Sequence, residues 1–163
     1  MIFAYGSNMC EHRLRTRVPS TKLATIAKLP GHQLRFHKRS NDGSAKCDAH
    51  ETGNAADEVW GVVFRIDAAD KPKLDRAEGL GHGYDECKVE VITPGGRLLK
   101  DVQMYYATDT DATLRPYEWY RRYVLNGAVR HNLPEDYVQD WIVAIPTVPD
   151  PDFARRSQHE PTC

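Results

Sequence analysis

Val59-Trp60-Gly61-Val62-Val63-Phe64-Arg65-Ile66 is the stretch that decides the fold. It is nearly all apolar, as a strand buried on both faces must be. Asp67 follows and can cap a helix. Its apolar positions include Leu74 and Ala77, and Pro72 falls near the start, where proline costs little. The helix should stop at Glu78-Gly79, since a glycine just past the last turn is the usual terminator. Beyond it, Cys87 to Thr93 alternates as a half-buried strand, Pro94-Gly95-Gly96 turns, and Val102 to Ala107 returns, so the spacing predicts a hairpin. One helix between strands is too few for a regular alternation of strand and helix.

The flanks point the same way. Residues 1–6 read as a short strand running into Gly6-Ser7-Asn8, which is turn chemistry. Met9 to Arg17 is polar with scattered Leu and Met, and suits a short helix or loop. Leu23 to Phe36 holds two β-like pieces broken at Pro30-Gly31. Arg39 to Asp57 is polar and reads as the longest loop. From Pro116 the period changes: Tyr117, Tyr120, Val124 and Ala128 recur at helical spacing, with Asn126-Gly127 as a point of interruption or bending. Leu133-Pro134-Glu135 opens a second, shorter helix. After Ile145 the prolines of Pro146-Thr147-Val148-Pro149-Asp150-Pro151 imply an extended tail. The expectation is an α+β fold with one domain over residues 1–145 and an extended tail over 146–163.

With 163 residues the chain suits one ordinary domain and can bury about 70% of its unfolded surface without a metal or disulfide staple. Its 22 Lys plus Arg against 23 Asp plus Glu leave no electrostatic footprint for nucleic acid or an anionic membrane. The apolar stretches are too short to span a bilayer. The first residues lack the features of a signal peptide, and a cytoplasmic location is expected. Neither the 4 cysteines nor the 7 histidines fall in C-x-x-C or H-E-x-x-H patterns, so no metal is expected. Arg13, Arg15 and Arg17 alternate and read as a solvated face.

Two features carry chemistry. Tyr5-Gly6-Ser7-Asn8 ends the first strand, where a glycine followed by small polar residues can turn backbone N–H groups inward to hold a carboxylate or an oxyanion. Taken alone it reads first as an ordinary turn, since Gly, Ser and Asn are common turn residues. Glu78 stands at a helix end, followed by Gly79, Gly81 and Gly83, a loop with little side-chain cover. The helix macrodipole there disfavours negative charge, a setting suited to a general base. Tyr84, Tyr105, Tyr106, Tyr117 and Tyr120 could line a polar pocket or form the amphipathic rim of a core.

The order of these features resembles one family. Tyr5-Gly6-Ser7-Asn8 on the first strand, Leu74-Asp75-Arg76-Ala77-Glu78-Gly79 in mid-chain and the late Leu133-Pro134…Tyr137 are similar to the γ-glutamylcyclotransferases, over about the first 145 residues. That resemblance implies a small mixed β-barrel flanked by helices, with a pocket at one barrel mouth. It implies a cofactor-independent enzyme that cyclises a γ-glutamyl group to 5-oxoproline and releases an amino acid or amine. Glu78 would be the catalytic acid/base, and Tyr5, Gly6, Ser7, Asn8, Tyr84, Tyr105 and Tyr120 would bind substrate, with Tyr106 competing for the place of Tyr105. The partner implied is a small γ-glutamyl compound, and pairing of two copies into a homodimer is left open. Within the same scaffold stand a γ-glutamylamine cyclotransferase and an enzyme unmasking a γ-glutamyl-protected intermediate. A non-catalytic carboxylate-binding module is the rival outside enzymology.

Overall fold

The computed structural model describes residues 1–159. Among the described residues seven strands form a closed five-stranded barrel and a separate two-stranded hairpin. Strand β1 (Ile2–Ala4) is buried throughout, as its apolar residues require. It sits antiparallel to β5 (Glu58–Arg65) and closes the barrel through a parallel contact, Ile2 to Gln103 on β7 (Leu98–Ala107). Around the barrel the order is β1, β5, β2 (Lys22–Pro30), β6 (Tyr84–Ile92), β7. The predicted strand at 59–66 is thus β5, held between two neighbours with Val59, Val62, Val63 and Phe64 wholly buried. The predicted hairpin is β6–β7.

Helix α1 (Glu11–Arg17) follows a 3-10 turn at Ser7–Met9. Helix α2 (Lys71–Glu78) lies between β5 and β6, as α1 lies between β1 and β2. Asp67, expected as its cap, instead precedes a 3-10 turn, Ala68–Asp70, and makes no side-chain capping bond. The helix proper starts at Lys71, with Pro72 in its first turn, where the missing N–H costs nothing. Helix α3 (Glu118–Arg130) runs unbroken through Asn126-Gly127. Gly127 is there for close approach: a Cβ on it would come within 2.7 Å of backbone atoms of Met9 and Cys10. Helix α4 (Glu135–Val138) passes into a π-helical turn at Gln139–Val143.

Two expectations need correction. Arg39 to Asp57 is not one long loop, because β4 (Ala45–Glu51) forms inside it and pairs with β3 (His32–Arg39), which precedes it. The residues that β4 turns to the core side, Ala45, Cys47 and Ala49, are small, so no apolar alternation stands out in the sequence. The tail is not extended throughout either. Helix α5 (Phe153–Gln158) forms within it, capped by the Asp152 side chain on the Arg155 N–H. Asp150 docks this segment on α3, accepting from the Trp119 Nε1–H at 2.8 Å and from Arg155 at 2.6 and 2.7 Å. The rest of the expected tail, residues 160–163, lies outside the described residues.

The β3–β4 turn is tied to α3 by charge. Asp42 accepts from Lys46 Nζ at 2.7 Å, and its carbonyl accepts from the Tyr117 hydroxyl at 2.8 Å. The Lys46 ammonium in turn lies 4.6 Å from the ring centres of both Trp119 and Tyr120. Burial raises the Asp42 carboxyl, but the Lys46 bond and charge outweigh it and hold its pKa down at about 2. A depressed carboxylate stabilises the fold above its unfolded pKa of about 3.9. That contribution is lost as pH falls through the folded value. Asp42→Asn should therefore lower the melting temperature at neutral pH, with the gap to wild type closing between about pH 4 and pH 2. Melts followed by circular dichroism would test this; a gap constant down to pH 2 would deny the charge any part.

Candidate active site

At the barrel mouth a chamber opens between the end of β1 and the end of α2. Its lining includes Tyr5, Gly6, Ser7, Asn8, Glu78, Tyr84, Tyr105 and Tyr120, with Leu74 and Cys47. Glu78 and the seven residues expected to bind substrate are thus on one surface. Tyr106 is not; it faces a different hollow, on the outer side of β4. The chamber is narrow. A water-sized sphere has about 40 Å³ to move in, a few times the ~10–15 Å³ that a single water needs. Only a slender group fits.

Glu78 is aimed by its helix ending. The N–H of Gly79 bonds to the Arg76 carbonyl and that of Leu80 to the Asp75 carbonyl, with Gly79 at φ 72°, a Schellman ending that needs a residue free to adopt positive φ. Leu74, one turn earlier on the same helix face, is fully buried, so Glu78 is directed inward with it. Its carboxylate is held by two donors on one oxygen: Asn8 Nδ2 at 2.8 Å and Arg17 at 2.9 Å, both to Oε1. Arg17 also donates to Asn8 Oδ1 at 2.9 Å, closing a triangle. With the described hydrogen bonds both on Oε1, Oε2 is the oxygen left to meet a ligand.

Arg17 is what the sequence reading missed. Arg13 and Arg17, four apart, share a face of α1 that turns inward with Leu14, while Arg15 stays outside and pairs with Glu11 at 2.6 Å. The Arg13 guanidinium lies 4.6 Å from the Tyr123 ring centre. The solvated-face reading holds for Arg15 and fails for the other two. Helical spacing through residues 13, 14 and 17 was the available signal.

The tyrosines form walls more than donors. Tyr5 donates to the Tyr105 carbonyl at 2.5 Å, Tyr84 to the Cys47 carbonyl at 2.5 Å, and Tyr105 to Asp75 Oδ1 at 2.6 Å. The Tyr120 hydroxyl accepts the Cys47 N–H at 3.0 Å. Burial drives the phenol pKa of Tyr5, Tyr84, Tyr105 and Tyr120 upward, and burial pushes the Cys47 thiol up to about 12. None of these five is a base or thiolate nucleophile near neutrality. Among the described residues, Glu78 supplies the only carboxylate in the lining. Lys38, nearly buried with Nζ 4.8 Å from the Tyr84 ring centre, adds positive charge nearby. Burial lowers its pKa, and the charge of Glu78 is first among those pulling it back.

Gly6 lies against the opposite wall, where an added Cβ would stand 3.1 Å from Cys47 Cβ and 3.3 Å from the Tyr120 hydroxyl. The first backbone bond of the turn after it runs from the Met9 N–H to the Gly6 carbonyl. The N–H groups of Ser7 and Asn8 precede that bond, at the open end of the turn.

Residues 58–141 match the family model described as the AIG2-like family. The chain is 30% identical over 141 residues to the γ-glutamylcyclotransferase of Mus musculus, covering 84% of this chain and 74% of that one. The chain belongs to the γ-glutamylcyclotransferase family. The human γ-glutamylcyclotransferase is similar to the same degree, at 30% identity over 141 residues. A solved structure titled γ-glutamyl cyclotransferase superposes with a TM-score of 0.82 at 28% identity, over 90% of this chain and 88% of that one. The closed barrel with flanking helices is thus the fold of the family. Among the described residues no helix is long and apolar enough to cross a membrane.

Proposed function

We propose that this chain is a γ-glutamylcyclotransferase in which Glu78 moves the proton. One observation carries the reading. The Glu78 carboxylate and the Gly6-Ser7-Asn8 loop, seventy residues apart in sequence, line one narrow chamber and touch through Asn8. The substrate's own α-amine attacks its γ-carbonyl carbon. The C–N bond that forms closes a five-membered ring, and the bond to the leaving nitrogen breaks. Glu78 Oε2 takes a proton from the α-ammonium and later returns one to the departing nitrogen, so a single carboxylate serves as base and acid. The open N–H groups at Ser7 and Asn8 face the developing oxyanion. Arg17 and Asn8 keep the carboxylate in position while its other oxygen works.

The chamber's width supports a slender glutamyl chain as the buried part of the substrate. Folding that chain into attack geometry is itself catalytic, and orientation of this kind can contribute several kcal/mol, up to about 7–11 in ideal cases. The leaving amine then stands at the mouth. Incubation with γ-glutamyl-alanine, glutathione and a γ-glutamyl amine, with 5-oxoproline quantified, tests the reading. Release of 5-oxoproline and alanine in equal amounts is expected. Turnover of the amine alone would move the chain to the γ-glutamylamine branch, and no 5-oxoproline from any of the three would overturn the proposal.

A further inference from the structure

Strand β4 has two faces, since successive side chains alternate. Cys47 looks into the chamber, and Asp48 and His50 lie on the opposite face. Across the hairpin the register shifts between Phe36 and Lys38, and His37, at that irregularity, reaches the same carboxylate. His37 Nε2 lies 2.8 Å from Asp48 Oδ2, and His50 Nδ1 lies 4.0 Å from that oxygen. Ligand atoms of the three residues all fall within 4.8 Å of one another. Asp48 is buried, and its other oxygen, Oδ1, accepts the Ala107 N–H at 2.8 Å. Asp48 and His50 border the hollow that also holds Cys87 and Tyr106.

We propose that His37, Asp48 and His50 form a binding site for a divalent transition ion of the zinc class, separate from the chamber that holds Glu78. Two imidazole nitrogens and one carboxylate oxygen are a donor set that zinc accepts with a fourth position left open. Tetrahedral bonds of roughly 2.0–2.1 Å would set ligand atoms about 3.3 Å apart. The observed 2.8 and 4.0 Å bracket that value, and His50, 40% exposed along its side chain, has room to turn inward. The Ala107 N–H does for Asp48 what outer-shell partners do for ligating carboxylates, fixing one oxygen so that the other points at the ion. A carboxylate that merely tied β4 to β7 would need the Ala107 bond and no histidines; here two converge on its second oxygen. Cross-strand pairing builds the group, which is why residues 37, 48 and 50 show no metal spacing along the chain.

The test is calorimetric titration of the chelator-treated full chain with Zn²⁺, with Mg²⁺ as the oxygen-preferring control. One equivalent of Zn²⁺ and no response to Mg²⁺ are expected. His50→Gln, chosen because its side chain is the most exposed of the three, should weaken Zn²⁺ binding by at least the ~10–100-fold that loss of an outer-shell partner costs. His37→Gln should do the same. His12→Gln, on α1, should bind as wild type does. Circular dichroism confirms that each variant is folded. Failure of the wild-type chain to take up one equivalent would overturn the site, as would unchanged affinity in folded His50→Gln and His37→Gln.

Discussion

Glu78→Gln is expected to bind substrate with near-normal KM and to lose about 10²-fold or more in kcat, the usual share of a positioned acid or base. Glutamine keeps the length of the side chain, and its carbonyl oxygen can still accept from Asn8 and Arg17, as Oε1 does in the wild type. What it cannot do is carry a proton between two nitrogens. A hundredfold loss corresponds to about 2.7 kcal/mol of transition-state stabilisation. A fall in kcat with KM unchanged marks an interaction made only in the transition state. Initial rates of 5-oxoproline release against substrate concentration separate the two constants. Turnover within a few-fold of wild type would place the proton transfer on another group and remove the central residue of the mechanism.

Gly127→Ala should be the most damaging small substitution in the helical layer. Replacing a mid-helix glycine by alanine ordinarily gains up to about 1 kcal/mol from propensity. Here the new methyl would stand 2.7 Å from the Cys10 nitrogen, the Met9 carbonyl carbon and Met9 Cβ. Two of these are backbone atoms and cannot swing aside. Overpacking of this kind costs typically 1–3 kcal/mol, occasionally more. The steric cost therefore wins, by about 2 kcal/mol net. For a chain of this size that is a fall of roughly 4–8 °C in melting temperature. Activity should drop further than stability alone explains, because α3 carries Tyr120 to the chamber wall and the displaced turn follows the Gly6-Ser7-Asn8 loop. A melting temperature equal to or above wild type would show that α3 and the turn can part without cost.

Much of the architecture was legible because the barrel strands print strong patterns. Val59 to Phe64 needs two neighbours, and the Pro94-Gly95-Gly96 turn gives away β6–β7. Strand β4 was illegible: Ala45, Cys47 and Ala49 fill the space under the hairpin by being small, and smallness does not announce a strand. The site was legible as two motifs, Tyr5 to Asn8 and the Glu78-Gly79 helix ending, and the structure brings them to one chamber. The residue that joins them, Arg17, was hidden among alternating arginines whose faces only separate once a helix is drawn through them. Asp48 was hidden more deeply, since neither its burial nor its two histidine neighbours follow from local sequence. Local patterns reveal elements; contacts across a barrel depend on how those elements close.

The chamber draws its walls from residues 2–8, 47, 74, 78, 84, 105 and 120, contributions scattered over most of the polypeptide. No hairpin or half-molecule owns the reaction. Specific activity is consequently a gauge of complete assembly, insensitive to any species in which α3 or the β3–β4 arm has yet to dock. During refolding, the return of turnover should lag the return of strand signal and report the final docking event.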